Sequence, residues 1–91
     1  MVEYQEALRL DPSNARTHNN LANVLAETGV LGEAIDQYKK AIELDADDPE
    51  IHYNLGLAYM RVGKSTDATN QFKEALRLDP SHVGARKQLA L

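Results

Sequence analysis

The feature that most constrains this chain is an internal repeat. The eight residues EALRLDPS stand at positions 6–13 and again at 74–81. Their separation of 68 residues divides into two steps of 34, and a shift of 34 aligns residues 15–48 with 49–82 without a gap, leaving ten identical pairs. A unit this short cannot bury its hydrophobic face alone, so successive copies must pack on each other. The sequence therefore predicts one structural building block that is used about two and a half times.

Each repeat carries apolar residues at helical spacing. In the second repeat, Leu55, Ala58, Tyr59 and Val62 recur at i, i+3, i+4 and i+7, and another apolar stripe follows in residues 68–78. The connections between stripes are short, so successive helices should be antiparallel neighbours. No strand is predicted, and helices are expected near residues 2–10, 15–28, 33–45, 49–62, 67–78 and 83–90.

Glycine, proline and cap residues mark the predicted helix ends. Gly29 and Gly63 stand where each first helix should end, because glycine tolerates the left-handed conformation of a helix C-terminus. The segments DPSN and DDPE offer Asp or Ser as N-caps, and the second places Pro49 at the first helical position. The second helices are expected to be capped by Gly32, and by Ser65 or Thr66.

Composition argues against several classes of function. The net charge is −4 and basic residues are scattered among acidic ones, so no basic stripe is present for a nucleic acid. The absence of cysteine excludes disulfides, Cys-zinc sites and thiol catalysis. No apolar run approaches the ~18 residues of a membrane span, and no signal pattern is recognisable at the N-terminus. We therefore expect a cytoplasmic protein without nucleic-acid or membrane partners.

The repeated residues resemble the tetratricopeptide repeat (TPR) pattern at matching offsets. In the second repeat the matching residues are His52, Leu55, Gly56 and Tyr59, then Ala68, Phe72, Ala75 and Pro80. Two positions depart from the pattern, since His18 and His52 replace a large residue that is usually Trp, and Ala46 replaces the closing Pro of the first repeat. The stretch NNLANVLAETG also resembles repeats of O-linked N-acetylglucosamine transferases and of bacterial scaffold proteins.

The resemblance implies an all-α fold in which helix-turn-helix repeats stack as a right-handed superhelix with a concave face. The expected organisation is a half repeat, 1–14, two full repeats, 15–48 and 49–82, and the start of another, 83–91. In this family the first helix of each pair lines the concave side and binds an extended peptide. Carried over by position, the expected binding residues are Arg16, Asn19, Asn20, Asn23, Glu27, Glu50, Tyr53, Asn54, Leu57, Met60, Arg61, Lys87 and Gln88.

Three amides at the repeat spacing are the most informative of these residues. Asn20, Asn54 and Gln88 are 34 positions apart, and each side chain offers both a donor and an acceptor to a peptide backbone. The related transferases use such an Asn ladder, so the resemblance implies a peptide track here. The alternative is structural, with the amides bonding to neighbouring helices or to solvent.

Other sites are not expected. A clamp for a terminal carboxylate would need cations where this chain has asparagines, Gly84 and Gln88, so we reject it. His18 and His52 lack further ligands at zinc spacing and are interpreted as packing residues. No catalytic constellation, phosphate loop, metal site or cofactor site is found, so the chain is not expected to be an enzyme.

The terminal segments leave two alternatives open. Leu8, Leu10, Leu89 and Leu91 lack their usual neighbours, so we expect either a fragment of a longer array or self-association of residues 83–91 with residues 1–14 of another copy. A second hypothesis makes this segment the substrate-selecting part of a larger enzyme such as a glycosyltransferase. A third makes it a self-assembling repeat module.

Overall fold

The computed structural model describes residues 13–90, and α-helices account for most of them. No residue within this range lies in a β-strand, so the predicted all-α class is confirmed. The helix predicted near residues 2–10 lies outside the described residues. The helices are α1 (Ala15–Glu27), α2 (Leu31–Leu44), α3 (Pro49–Arg61), α4 (Ser65–Leu78) and α5 (Val83–Leu89).

The chain divides into two compact units, residues 1–46 and 47–91. In the first unit α1 packs against α2, and this pair is named hairpin 1. In the second unit α3 packs against α4 as hairpin 2, and α5 packs on α4. The boundaries of the repeats stay a prediction of the sequence.

A two-residue turn closes each hairpin. In hairpin 1 the Val30 N–H donates to the Leu25 carbonyl oxygen at 2.8 Å, and the Gly29 N–H donates to the Ala26 carbonyl oxygen at 3.1 Å. These two bonds are the Schellman pattern, which requires a left-handed residue, and Gly29 supplies it with φ of +83°. The prediction for both glycines is confirmed. In hairpin 2 the corresponding bonds run from Lys64 to Tyr59 and from Gly63, whose φ is +82°, to Met60.

The same turn explains why the predicted starts and caps of the second helices are wrong. α2 begins at Leu31 rather than 33, and α4 begins at Ser65 rather than 67. The residue that ends the Schellman turn is itself the N-cap of the next helix, Val30 or Lys64, and neither side chain makes a cap bond. Gly32, Ser65 and Thr66 consequently lie inside the first helical turn.

Polar side chains cap the first helices. Asn14 accepts from the Thr17 N–H at 3.1 Å and Asp48 accepts from the Glu50 N–H at 2.9 Å, each satisfying a donor of the first turn. The cap of α1 is thus Asn14 rather than the Asp or Ser that the sequence predicted. Pro49 occupies the first turn of α3 as predicted.

Each hairpin core pairs a small residue of the first helix with a ring of the second. Ala22 and Tyr38 are buried in hairpin 1, and Gly56 and Phe72 are buried at the equivalent positions of hairpin 2. A Cβ atom added to Gly56 would lie 2.6 Å from Cε1 of the Phe72 ring. The ring therefore occupies the volume that a larger residue at position 56 would need.

An identical hydrogen bond ties the two helices of each hairpin together. Nδ1 of His18 lies 2.7 Å from Oε1 of Gln37, and Nδ1 of His52 lies 2.8 Å from Oε1 of Gln71. Because an amide oxygen accepts, the histidine Nδ1–H donates in both pairs. Both histidines are buried. They therefore occupy the large-residue position as polar packing groups, as the sequence predicted.

Candidate peptide-binding surface

The thirteen residues predicted to bind a peptide lie on α1, α3 and α5, and none of them is buried. We call their positions in each unit the first-helix face. Arg16 and Glu27 are exposed in the first unit, whereas the asparagines beside them are half-buried. In the second unit the exposed members are Glu50, Met60, Arg61 and Lys87, and the half-buried members are Tyr53, Asn54, Leu57 and Gln88.

In hairpin 1 the first-helix face is joined to the core by one side-chain pair. The hydroxyl of the buried Tyr38 donates to Oδ1 of Asn23. This bond satisfies a phenol that would otherwise be buried without a partner. Asn23 thus has a structural partner within the hairpin, which is the alternative that the sequence left open for the asparagines.

In the second unit an aromatic cluster joins α3 to the start of α5. The Tyr53 ring centroid lies 5.9 Å from that of Phe72 and 4.8 Å from that of His82. Gly84 faces the same ring so closely that an added Cβ would lie 2.6 Å from the Tyr53 Cζ atom. Tyr53 is therefore a packing residue for α5 as well as a member of the face.

His82 completes this cluster with two hydrogen bonds. Its Nδ1 accepts from the Ala85 N–H at 3.1 Å, which caps α5. Its Nε2 lies 2.9 Å from Oε2 of Glu50 and donates to that carboxylate. Glu50, which was predicted to face a ligand, thus also links the starts of α3 and α5.

The three amides of the proposed ladder are all half-buried. Asn20 and Asn54 occupy the same position of α1 and α3, the sixth residue of each helix, and Gln88 is the sixth residue of α5. Within residues 13–90, Asn20 makes no side-chain hydrogen bond. Each unit therefore keeps amide groups at the surface of its first helices, and their alignment as one track stays a prediction.

Sequence reasoning missed the contacts that tie this face to the rest of each unit. The His–Gln bond had a signal, because both partners recur unchanged after 34 residues and are separated by 19 residues in each copy. The Asn23–Tyr38 bond had a weaker signal, because both partners become apolar together as Leu57 and Phe72. His82 had none, since the two other first-helix caps are Asn14 and Asp48.

The described residues do not assemble a metal site, since no group of three His, Cys, Asp or Glu side chains is close enough within residues 13–90. One ion pair on α4 shifts two pKa values. A hydrogen bond from the exposed Arg77 lowers the pKa of the Glu74 carboxyl, and the same bond raises the pKa of Arg77. The two residues are three apart on the helix surface, an ordinary arrangement for a solvated pair.

No helix in the described part of the chain is long and apolar enough to cross a bilayer.

Solved structures with the same fold are numerous among proteins built from this repeat. A crystal structure of MamA superposes with a TM-score of 0.89 at 28% identity, over 94% of this chain and 50% of that one. YrrB, described as a TPR protein with an unusual peptide-binding site, gives a TM-score of 0.92 at 25% identity, over 97% and 45% of the two chains. The TPR domain of Arabidopsis OM64 gives 0.93 at 25% identity, over 96% and 72%. The chain thus spans about half the length of the first two structures.

Family models agree with the structural comparison. No curated protein sequence is a significant match to the chain. A TPR repeat model matches residues 1–29 and 23–63, and the tetratricopeptide repeat model matches residues 49–82. These matches cover most of the sequence and fall on the hairpins described above. The chain belongs to the tetratricopeptide repeat family.

Proposed function

We propose that this chain is a non-catalytic interaction module that binds an extended peptide segment of a partner protein along its first-helix face. The observation that carries the proposal is the set of half-buried amides on first helices whose opposite sides are buried in the hairpins. An amide at the surface offers a donor and an acceptor to a peptide backbone without reading its side chains. The peptide-binding site named for YrrB supports the same use of the fold.

Asn54 is the residue at which the proposal is tested. An unbiased phage-displayed peptide library supplies the ligands, and the tightest peptide becomes a fluorescent probe for anisotropy titration. The substitution Asn54→Ala should weaken binding about three- to tenfold, the usual worth of one hydrogen bond. Its circular dichroism spectrum should stay that of the parent chain.

Asn70 provides the matched control, because it is an exposed asparagine on the second helix of the same hairpin. Asn70→Ala should leave the affinity unchanged. Equal affinities for the parent and Asn54→Ala proteins, with both folded, would remove the amide from the binding surface. Recovery of no peptide at all from the library would contradict the proposal as a whole.

The remaining expectations are also proposals. If a longer parent protein carries a catalytic domain beside this segment, the segment would select substrates for that enzyme, and the full-length gene decides this. Self-association through residues 83–91 and 1–14 predicts a weight-average mass that falls on dilution, and a constant monomer mass would exclude it. The cytoplasmic location is testable by fractionation.

A further inference from the structure

The first-helix face of the second unit contains an exposed apolar patch on α3. Met60 is 47% exposed and Val62 is 40% exposed, and the half-buried Leu57 lies one turn before Met60. Helical spacing of three residues places Leu57 and Met60 on the same side of the helix. The hairpin core accounts for neither exposed side chain, so the patch is free to contact another molecule.

The equivalent positions of α1 lack this patch. Leu57, Met60 and Val62 correspond to Asn23, Ala26 and Thr28 at the repeat spacing. Asn23 is bonded to Tyr38, and Thr28 donates to the carbonyl oxygens of α1. An apolar contact on the first-helix face is therefore a property of the second unit alone among the described residues.

Charge is distributed just as unevenly. Residues 1–46 contain four Lys or Arg and eight Asp or Glu, whereas residues 47–91 contain six of each. In the second unit several carboxylates are engaged locally, since Asp48 caps α3, Glu50 bonds to His82, and Glu74 bonds to Arg77. These contacts reduce the negative potential that the carboxylates would offer to an approaching ligand.

Cations border the apolar patch. Arg61 follows Met60 at the end of α3 and is exposed, as is Lys64 in the turn after it. Lys87 on α5 is also exposed, and it lies one turn beyond Gly84, the residue that contacts Tyr53. Since α3, α4 and α5 follow one another through short turns, α5 runs in the same direction as α3. One turn beyond the Tyr53 contact, Lys87 is thus placed beside the turn of α3 that carries Leu57.

We propose that this face selects peptide segments in which an aliphatic side chain is flanked by Asp or Glu. The aliphatic side chain packs on Leu57 and Met60, and the flanking carboxylates pair with Arg61 and Lys87. The inference rests on the proposed peptide-binding function and adds the chemistry of the preferred partner. It needs no terminal carboxylate, so it differs from the clamp that the sequence excludes.

The two kinds of contact have different roles. Burial of the aliphatic side chain supplies an anchor, because a few central apolar contacts carry most of the binding energy of small interfaces. The exposed charge pairs contribute less to affinity but select the sign of the partner, and salt screens them. Binding should therefore weaken with salt without being abolished.

Three amidated fluorescent peptides of one length form the probe set for anisotropy titration with the full chain. The first carries Leu between acidic residues, the second replaces that Leu with Ser, and the third replaces the acidic residues with Lys. The first should bind about tenfold more tightly than either of the others. Equal binding of all three peptides would overturn the proposal.

Protein variants locate the effect on the face. Lys87→Glu should weaken the acidic Leu peptide about five- to tenfold and strengthen the Lys-containing one. Met60→Ser should weaken both Leu peptides and leave the Ser peptide unchanged. Lys73→Glu is the matched control, because Lys73 is an exposed lysine on α4, and it should have no effect. Loss of affinity by Lys73→Glu equal to that of Lys87→Glu would show a non-local charge effect and contradict the proposal.

The outcome separates this inference from the function on which it rests. If the unbiased library yields peptides with basic or uncharged residues around the anchor, peptide binding stands and the acidic preference is wrong. If the library yields no peptide and the acidic Leu probe does not bind, both are wrong. A library enriched in acidic residues beside Leu, Ile, Val or Met supports both.

Discussion

The two hairpins share the contacts that hold their helices together and differ in the contacts next to the first-helix face. Both have the same two-residue turn and the same bond from a buried histidine to a glutamine. Beside these, hairpin 1 has the hydrogen-bonded Asn23 and Tyr38, whereas hairpin 2 has Leu57 and Phe72. The comparison teaches that the repeat preserves the geometry of the hairpin and changes polar pairs as complete sets.

Position 22 and its equivalent belong to the same set. Hairpin 1 has Ala22 beside Tyr38, and hairpin 2 has Gly56 beside Phe72, whose ring leaves no space for a Cβ atom. Loss of the hydroxyl bond to Asn23 accompanies a closer approach of the ring to the first helix. The pairs are therefore interchangeable only together.

The largest expected effect breaks a contact that both hairpins share. His52→Ala removes a buried ring and leaves the Gln71 oxygen without its donor, so it should lower the free energy of unfolding by about 2–4 kcal/mol. His18→Ala should have a similar effect in hairpin 1, where the bond is the same. Urea titration followed by circular dichroism measures both, and a loss below about 0.5 kcal/mol in either variant would show that the bond is dispensable.

The next effect tests whether the small residue and the ring change as a set. Gly56→Ala should destabilise hairpin 2 by about 1–2 kcal/mol, since overpacking against Phe72 outweighs the higher helix propensity of alanine. The triple substitution Gly56→Ala, Leu57→Asn, Phe72→Tyr should restore most of this loss, because hairpin 1 accommodates that combination. Urea titration of the single and triple variants is the measurement. No recovery in the triple variant would contradict the interpretation.

A smaller effect concerns the hydrogen bond that is unique to hairpin 1. Tyr38→Phe should cost about 1 kcal/mol, the usual net contribution of one bond. Combined with Asn23→Leu, which recreates the apolar pair of hairpin 2, the double variant should be close to the parent in stability. A double-mutant cycle in urea measures the coupling, and simple additivity of the two single effects would show that the pair does not act together.

The smallest expected effect compares ion pairs on the second helices. Glu74 and Arg77 on α4 correspond to Lys40 and Glu43 on α2, so the charges are reversed, and the latter pair is longer at 3.5 Å. Because the Arg77 hydrogen bond lowers the pKa of Glu74 in the folded state, its stabilisation is present above the ordinary carboxyl pKa. It is lost as the pH falls through the lowered value. Arg77→Gln should therefore narrow the difference in stability between neutral and acidic pH.

Lys40→Gln is the matched control for this titration. Unfolding curves of both variants and of the parent between neutral pH and about pH 3 give the comparison. Arg77→Gln should alter the pH profile more than Lys40→Gln. Identical profiles for Arg77→Gln and the parent would show that the pair contributes nothing.

Much of the fold was predictable because the repeat makes each local signal appear twice. Gly29 and Gly63 marked the helix ends correctly, since only glycine suits the left-handed position of that turn. The starts of the second helices were placed two residues late, because Gly32, Ser65 and Thr66 looked like caps. The sequence does not reveal that Val30 and Lys64 end one helix and cap the next through their backbone.

The candidate surface was predictable in location but not in its partners. The helical period places Tyr53 and Asn23 on the outer side of their helices, and both lie there, half-buried. Their contacts with His82 and Tyr38 depend on elements distant in sequence, and no local pattern encodes them. The alignment of Asn20 with Asn54 is a relation between units, so it stays a prediction.

The positions of the histidines have a practical consequence for spectroscopy. The chain has three of them, and each lies in a different part of the architecture: His18 in hairpin 1, His52 in hairpin 2 and His82 at the start of α5. Their imidazole resonances are therefore built-in reporters, one for each part. Followed by NMR through a thermal or chemical melt, they would reveal whether the array comes apart in one step or piece by piece, without any label being added.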